Sequence, residues 1–270
     1  MLVDVKMKNK FLVSLNNLEE IEIYKKEGIN SFLLPLKDYT VGYPNTYSVS
    51  KINSINETKY CLINKVLDNK EIDNLEDILP TIDVKGFVIE DIGLIRPLKA
   101  LKKEIILFIN HFNCNYNSIN EWLNYVDSVF VSNELTKEEL EEITKNAHKP
   151  VVLHLFGYNQ VMYSKRSLVT NYETHYHLPL TNTLDIEDKM GQVKFHLYQD
   201  EAGTVALSNH IATLDVLDLS NVYYYYLNTS FIPLETTLAF LRKEEITNSD
   251  EGFLRRATVF KIGDLKWLSY

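Results

Sequence analysis

The chain has 270 residues, a formal net charge of −9, 45% hydrophobic residues and 24% charged residues. This length suits one large α/β domain or one domain with a small appendage. The sequence lacks a run of about 18 apolar residues, which argues against a membrane span, and its first residues lack the apolar region of a secretory signal. The negative charge argues against a large nucleic-acid surface but allows a local basic patch. We therefore expect a cytoplasmic globular protein with no membrane contact.

Short apolar runs recur along the first part of the chain, each followed by an amphipathic segment. The runs are Phe11–Leu15, Phe32–Leu36, Tyr60–Val66, Gly86–Ile89, Ile105–Ile109, Ser128–Val131 and Val151–Phe156. Their starts lie roughly 18 to 28 residues apart, the length of a strand plus a helix. This alternation predicts a parallel sheet with right-handed crossovers. We expect an α/β fold of the (β/α)8 TIM-like barrel type, complete or distorted; an open doubly wound sheet is the alternative, although no Gly-rich dinucleotide loop follows these strands.

The amphipathic segments carry helix signals. Residues 18–28 predict a helix that ends at Gly28, and residues 135–147 predict a helix with Thr136 as its N-cap. After Tyr172 the pattern changes to a β-hairpin (192–209), further strands at 215–219, 222–228 and 252–262, and a helix that starts at Pro233. We expect residues 1–172 to form the β/α units of the barrel. Residues 173–270 are expected to form an α+β segment that completes or covers it.

Polar residues beyond each apolar run form the candidate site, because the carboxyl ends of parallel strands gather where α/β proteins bind ligands. The ligand-binding candidates are Asp91, Asn110, His111, Asn133, Glu134, Tyr163, Ser164, Lys165 and Arg166. The last four follow a strand that we expect to end at Gly157. Their segment suits a phosphate or a carboxylate, or alternatively a solvated loop. Asp91 also suits a helix N-cap.

Few residues indicate catalysis. Ser164 and Ser167 lie in no Gly-x-Ser-x-Gly elbow, and the adjacent Glu90 and Asp91 should point to opposite faces of a strand. His154 lies inside an apolar strand and is expected to be buried and hydrogen-bonded. The catalytic residues therefore stay unassigned.

The sequence contains little that could hold a metal or a cofactor. His175 and His177, spaced for one face of a strand, are only two ligands. The two cysteines, Cys61 and Cys114, are expected to be reduced and cannot build a four-thiolate site. We predict no metal and no cofactor.

Four segments carry a resemblance to a known family. GFVIEDIGLI, LFINHFNCNYN, SVFVSNELTKEEL and EGFLRRATVFKI occur in this order and with the strand spacing described above. The positions that carry the resemblance are Asp91, Gly93, Asn110, Asn115, Asn117, Ser132, Glu134, Leu135, Gly252, Phe253 and Thr258. Through them the chain resembles the collagenase-like peptidase family, peptidase family U32, and in particular its short, single-barrel members.

The signature of that family is only partly kept. It runs Glu-x-Phe-x-x-Gly, then a small residue, an aliphatic residue and a Cys, and after four residues Gly-x-Cys-x-aliphatic-Ser. Laid on the chain without a gap, it matches at Gly157 and Val169. Its other positions fall on Val152 (Glu), His154 (Phe), Gln160 (Cys), Lys165 (Gly), Ser167 (Cys) and Thr170 (Ser). The groups capable of redox, nucleophilic or acid–base chemistry have been replaced.

The resemblance implies several functions. Some family members are cysteine-ligated iron–sulfur proteins that act in hydroxylation of tRNA, rRNA or ubiquinone precursors, and others are peptidases. Because Gln160 and Ser167 are not cluster ligands, the resemblance implies a partner subunit that works beside a longer, cysteine-bearing paralogue in forming 5-hydroxyuridine at the tRNA wobble position. The alternatives are a hydrolase and a non-enzymatic barrel that binds a small anion through Lys165 and Arg166. The oligomeric state is not predicted.

Overall fold

The computed structural model describes residues 9–109, 113–187 and 194–255. The strands in these ranges are β1 (Phe11–Ser14), β2 (Ser31–Pro35), β3 (Thr58–Ile63), β4 (Gly86–Ile89), β5 (Glu104–Leu107), β6 (Ser128–Val129), β7 (Val151–Ser164), β8 (Thr183–Glu187), β9 (Lys194–Asp200), β10 (Gly203–Thr213), β11 (Val222–Asn228) and β12 (Ser249–Asp250). The α-helices there are α1 (Ile21–Lys26), α2 (Val49–Asn53), α3 (Asn69–Ile78), α4 (Ile95–Ala100), α5 (Tyr116–Leu123), α6 (Lys137–Asn146), α7 (Leu168–His175) and α8 (Leu234–Arg242). In these ranges no helix has the length and apolar character needed to cross a membrane.

Local sequence signals determine where these elements begin and end. Each of the seven apolar runs overlaps one of the strands β1 to β7, as predicted. Thr136 caps α6 in a capping box with Glu139, which satisfies backbone N–H groups at the start of that helix. Asp68 caps α3 in the same way with Glu71. Gly28, with φ of 86°, follows the end of α1 and allows the chain to turn there.

All the described strands belong to one curled sheet of mixed direction. The path runs β6-β5-β4-β3-β2-β1-β11-β7-β10-β9-β8, and β12 pairs with β10. The strands β1 to β6, β11 and the first half of β7 are parallel, whereas β10, β9 and β8 continue as an antiparallel layer. The prediction of a mixed α/β fold is confirmed. A complete (β/α)8 barrel is not, because β6 and β7 share one parallel bridge, Phe130–Val152, where the other neighbours share ladders.

Two apolar clusters lie on the two faces of the parallel strands. The inner cluster consists of alternate strand residues, among them Leu12, Leu62, Ile106 and Val152. The outer cluster, which includes Phe87, packs between the sheet and the helices. Side chains of β1, β3, β5 and β7 meet in the inner cluster only because the sheet curls around them. Burial of both faces explains why these strands read as continuous apolar runs.

A polar network closes the inner cluster at the amino ends of the strands. The hydroxyls of Tyr60 and Tyr223 donate to the Glu104 carboxylate at 2.6 and 2.7 Å. The ammonium of Lys85 lies 2.7 Å from the Tyr223 hydroxyl and 3.2 Å from the Glu104 carboxylate. Burial raises the pKa of Glu104, but these hydrogen bonds and the Lys85 charge leave it below its ordinary value. The network therefore closes the inner cluster at the amino ends of the strands.

The strand β7 corrects a sequence prediction. It does not end at Gly157 but continues to Ser164, pairing first with β11 in parallel and then with β10 in the antiparallel direction. Gly157 has φ of 127°, and a Cβ there would lie 2.2 Å from the Asn228 carbonyl oxygen. The glycine thus allows the strand to pass from one layer to the other, a change that periodicity alone does not reveal.

The segment after β7 gives a mixed outcome. The predicted hairpin forms as β9 and β10, the predicted strand at 222–228 is β11, and the helix after Pro233 is α8. The strand prediction at 215–219 is wrong, because these residues form a turn. The strand predicted at 252–262 begins as a turn and then leaves the described residues. The division between 172 and 173 stays a prediction, although it falls inside α7.

Candidate functional site

A pocket lies at the carboxyl ends of the parallel strands, where the antiparallel layer covers the inner cluster. We call it the strand-end pocket. It is lined by Gly42, Tyr43, Phe108, Phe130, Val131, Asn133, His154, Tyr158, Asn159, Gln160, Leu207, Tyr226 and Asn228. Its volume is about 30 Å³, enough for one or two water molecules. A larger ligand therefore requires side chains to move, and it would meet amide, imidazole and phenol groups with no charged residue among the described lining.

A tyrosine pair and a histidine form the inner wall of the strand-end pocket. The hydroxyls of Tyr43 and Tyr226, both buried, lie 2.9 Å apart. The His154 ring packs 5.7 Å from the Tyr226 ring, and its Nε2 hydrogen-bonds the Phe156 carbonyl at 2.9 Å. Because a carbonyl only accepts, Nε2 carries the proton and Nδ1 keeps its lone pair. Desolvation lowers the pKa of His154 to about 4, so the ring is neutral near pH 7.

Carboxamide side chains form the rim of the pocket. The Asn133 side-chain amide donates to the Asn159 side-chain oxygen at 2.7 Å. The Asn228 side-chain oxygen accepts from the Ser14 hydroxyl at 3.2 Å. Gln160 lies against Gly42, where a Cβ would meet the Gln160 oxygen at 3.4 Å and a Val205 methyl at 3.1 Å. Such a rim offers a ligand hydrogen-bond donors and acceptors without net charge.

Glu90 interacts electrostatically with Tyr43 of this pocket, and one of its carboxylate oxygens is buried without a hydrogen-bond partner in the described chain. Gly86, Val88 and Glu90 alternate along β4 and its extension, and Val88 belongs to the inner cluster. The Oε2 atom of Glu90 is buried and has no hydrogen-bond partner there. Burial, with a contribution from Asp91, raises the pKa of Glu90 to about 7. Glu90 in turn raises the pKa of Tyr43, for which burial is the main cause.

A wider cleft of about 420 Å³ shares Tyr43 with the strand-end pocket. Lys37, Lys65 and Asp200 contribute to its walls. Lys65 forms an ion pair with Glu71 at 2.6 Å, and burial raises the pKa of Asp200. This cleft is large enough for a small ligand, which would contact Tyr43 as well.

The structure separates the predicted site residues. Asn133 lines the strand-end pocket. Asp91 caps the short 3-10 helix Ile92–Leu94 by accepting from the Gly93 N–H at 2.8 Å. This confirms its predicted role as a helix N-cap. Glu134 is exposed, and its backbone N–H donates to the Ser132 hydroxyl at 3.3 Å. The predictions at Asn110 and His111 lie outside the described residues.

The other four predicted residues lie at the far end of β7, away from the strand-end pocket. Tyr163 donates to the Ala202 carbonyl at 3.1 Å, and the Ser164 hydroxyl accepts from the Arg166 N–H at 3.2 Å. Lys165 and Arg166 are exposed in the turn that follows. Ser164 lies eight residues beyond Phe156, up to about 25 Å at the rise of a strand. The strand end expected at Gly157 is therefore wrong, because β7 carries these four residues across the antiparallel layer. Their role in ligand binding stays a prediction.

Sequence analysis did not single out Tyr43 and Tyr226 as candidate site residues, and it considered Glu90 only as a strand-end carboxylate beside Asp91. The alternation along β4 and β11 could have indicated the inward direction of Glu90 and Tyr226. Tyr43 lies in the loop after β2, and its position depends on the amide of Asn64, which donates to and accepts from Val41 at 3.1 and 3.0 Å. Such a loop contact leaves no periodic signal.

The iron–sulfur cluster implied by the resemblance does not fit this chain. Cys61 is fully buried in the outer cluster, and desolvation raises its thiol pKa. Cys114 packs at the edge of the same cluster. The signature cysteine positions hold Gln160 in β7 and Ser167 ahead of α7. In the described residues no group of three or more His, Cys, Asp or Glu could hold a metal. His175 and His177 do not share a strand, since His175 ends α7.

Together these features define a mixed α/β protein with a neutral, amide-rich pocket at the carboxyl ends of its parallel strands. The model of the family "Peptidase family U32" matches residues 47–177. These residues include β3 to β7 and the resemblance segments around Asp91, Asn115 and Ser132. The match supports the resemblance to the U32 peptidase family for this part of the chain. No curated protein sequence matches significantly.

Among solved structures, similarity is low. The spore cortex-lytic enzyme SleL of Bacillus cereus has a TM-score of 0.44 and 12% identity, over 89% of this chain and 75% of that one. The C-terminal domain of a putative chitinase of Desulfitobacterium hafniense has a TM-score of 0.42 and 11% identity, over 87% of this chain and 99% of that one. A chitinase of Chromobacterium violaceum has a TM-score of 0.38 and 10% identity, over 74% of this chain and 86% of that one. Function therefore has to be inferred from the pocket and from the family match.

Proposed function

We propose that this chain is a cluster-free member of peptidase family U32 with a (β/α)8-like barrel. In this role it is a cytoplasmic binding or partner subunit in 5-hydroxylation of the tRNA wobble uridine. The observation that carries the proposal is the strand-end pocket. His154 and Gln160, which stand at signature positions, line it as neutral hydrogen-bonding groups. Such groups suit the binding of a neutral polar ligand, and a uracil ring presents amide-like donors and acceptors that Asn and Gln side chains pair with.

The barrel is supported by the inner cluster and by the bridge from Phe130 to Val152, which brings β6 next to β7. With that bridge, eight parallel strands follow one another around the inner cluster. The catalytic step of hydroxylation is assigned to a longer, cysteine-bearing paralogue. This chain would supply RNA binding or positioning.

The role as a partner subunit is supported by an exposed apolar surface at residues 172–180. Tyr176 is 57% exposed and Leu180 is 68% exposed, with Tyr172 and Leu178 beside them in sequence. Apolar side chains grouped in this way are typical of surfaces that another protein covers. We expect the paralogue to dock there.

Two measurements test this function. Deletion of the gene should abolish or strongly reduce hydroxylated wobble uridine in digested tRNA, and full retention of the modification would refute the role.

A tagged chain should co-purify the paralogue, and the double variant Tyr176→Ser/Leu180→Ser should lose it. The control is Ile92→Ser, which removes an apolar side chain of similar exposure, 52%, on another surface. Equal recovery of the paralogue by all three proteins would place the interface elsewhere.

A second candidate function is hydrolysis, which Glu90 favours. A buried carboxyl group with a pKa of about 7 can take up and release a proton near neutral pH. In that case Glu90 would activate water or protonate a leaving group. A peptide-substrate panel, assayed with and without chelator, should show activity that Glu90→Gln removes and Glu76→Gln, an exposed control on α3, retains. Absence of turnover on the whole panel would contradict hydrolysis and would leave binding as the one proposed function.

A further inference from the structure

A second cleft, of about 320 Å³, lies at the amino end of β5, the edge of the sheet opposite the strand-end pocket. We call it the lysine cleft, after Lys99, Lys102, Lys103 and Lys149, which line it together with Tyr125. The loops after α4, α5 and α6 bring these residues together. No predicted site residue lies here, and the strand-end pocket does not use it.

The lysine cleft concentrates positive charge on a chain whose net charge is −9. None of its four ammonium groups forms an ion pair with a carboxylate of the described chain. Lys103 donates to the Val84 carbonyl at 2.7 Å and Lys149 to the Val126 carbonyl at 2.8 Å. Because an ammonium has three donors, each retains two for a ligand. Backbone anchoring also fixes these two charges at the cleft wall.

The two carboxylates at the cleft, Glu104 and Asp127, offset only part of the charge of its four lysines. Glu104 is occupied by Lys85 and by the two tyrosine hydroxyls of the amino-end network. Asp127 accepts from the Ile105 N–H at 2.8 Å. The cleft therefore offers more cationic donors than the fold itself uses.

An exposed aromatic ring gives the cleft a second kind of contact. Tyr125 is 48% exposed, and the Lys99 ammonium lies 5.6 Å from the centre of its ring. Cations that follow a phosphate backbone, next to an aromatic ring that can stack on a base, are the two elements of single-stranded nucleic-acid binding. A membrane surface would require more exposed apolar residues here, and an acidic protein surface would not need the ring.

From these observations we propose that the lysine cleft binds the phosphate backbone of an RNA strand, with one base stacked on Tyr125. The identity of that RNA as tRNA rests on the proposed function. RNA binding itself does not. If one RNA occupies both sites, the modified base lies in the strand-end pocket and a distant part of the same RNA lies in the lysine cleft.

Binding of a fluorescently labelled, unmodified tRNA transcript to the purified full-length chain tests the proposal. The variant Lys99→Gln/Lys102→Asn removes two exposed charges, and asparagine suits the positive φ of 55° at position 102. We expect roughly tenfold weaker binding and a salt dependence reduced by about 0.7–0.9 in log K per log salt for each lost contact. The control Lys51→Gln/Lys70→Gln makes the same change of charge at exposed positions elsewhere and should bind like the parent.

Tyr125 separates RNA from other polyanions. Tyr125→Ala should weaken tRNA binding by about fivefold or more, while Tyr125→Phe should restore it. Competition by polyglutamate or by anionic lipid vesicles should not depend on this residue. The proposal is overturned if the lysine variant binds tRNA like its control, or if Tyr125→Ala has no effect while polyglutamate competes fully.

The outcomes also separate this proposal from the proposed function. If the lysine variant loses tRNA binding but the deletion strain keeps its hydroxylated uridine, the cleft binds RNA and the role in hydroxylation is wrong. If the deletion removes the modification and the lysine variant restores it with unchanged RNA affinity, the role holds and the cleft is not its RNA site.

Discussion

Gly157 shows how much one residue can decide in this fold. It lets β7 leave β11 and continue against β10, and its φ of 127° is a conformation that L-residues rarely adopt. In Gly157→Ala the new Cβ would meet the Asn228 carbonyl at 2.2 Å, and backbone atoms cannot swing aside as a side chain does. We expect a loss of about 3 kcal/mol or more in the free energy of unfolding, measured by urea denaturation.

Gly252 provides the matched control for this substitution. It also has positive φ, 60°, but no atom lies within 4 Å of a Cβ built there. Gly252→Ala should therefore cost only the backbone preference, about 1 kcal/mol. Equal losses for the two variants would mean that the close approach to Asn228 does not constrain β7.

Glu90 should make stability depend on pH in a direction opposite to that of most carboxylates. Its pKa is raised by burial and by Asp91 to about 7, so on raising the pH the unfolded chain releases this proton first. Below the ordinary glutamate pKa, therefore, Glu90 carries no penalty. Between that value and pH 7 the native state progressively loses stability, and Glu90→Gln should be more stable than the parent by about 1–3 kcal/mol at pH 8.

Thermal unfolding at pH 4.5 and at pH 8 would check this expectation. The gain from Glu90→Gln should be present at pH 8 and small at pH 4.5. Glu76→Gln, on the exposed side of α3, controls for the change in net charge and should show no such pH dependence. A gain of equal size at both pH values would show that the amide stabilises by packing or hydrogen bonding and that Glu90 is not destabilised by ionisation.

At the scale of elements, local signals specified most of the fold. The apolar runs predicted β1 to β7, and Thr136 and Pro233 correctly indicated the starts of α6 and α8. The end of β7 was missed because its second half is only partly buried and is polar in sequence. Its strand conformation comes from pairing with β10, about 50 residues further along the chain, and long-range pairing leaves little trace in local composition.

The difference between local sequence signals and long-range contacts also explains which parts of the candidate site were predicted. The edge of the sheet that carries the pocket was predicted, since strand order places carboxyl ends together, and Asn133 lies there. The identity of the lining was not predicted, because Tyr43 arrives on a loop and Gln160 on the extension of β7. The basic segment at Lys165 was conspicuous in sequence, yet the extension of β7 carries it away from the pocket.

The capping box of α6 offers a direct test at this scale. Thr136 accepts from the Glu139 N–H at 3.3 Å, and the Glu139 carboxylate accepts from the Thr136 N–H at 2.8 Å. Thr136→Ala removes the hydroxyl and should lower the free energy of unfolding by about 1 kcal/mol in urea denaturation. Thr136→Ser keeps the hydroxyl and should stay close to the parent. A loss as large in the serine variant would assign the effect to the methyl group rather than to the cap.

At the scale of the whole molecule, the two proposed binding sites lie at opposite edges of one sheet. The neutral pocket lies at the carboxyl ends of the strands, and the lysine cleft lies at the amino ends. The amino-end network of Tyr60, Lys85, Glu104 and Tyr223 closes the inner cluster between them. A ligand in the pocket and an RNA strand in the cleft could therefore bind at the same time without sharing a residue.

The distribution of cysteines over the whole chain predicts the outcome of a reconstitution experiment. Iron–sulfur clusters are held mostly by four thiolates, and this chain has two cysteines. Cys61 is fully buried with a raised thiol pKa, which opposes formation of the thiolate that binds iron. Even a dimer would bring only two Cys114 side chains within reach.

Anaerobic incubation with iron and sulfide should therefore give no visible charge-transfer absorption and no retained labile sulfide, while a cysteine-bearing paralogue treated in parallel should give both. Stoichiometric iron and sulfide that disappear in Cys114→Ser would contradict this and would reopen a role in redox chemistry for the chain itself.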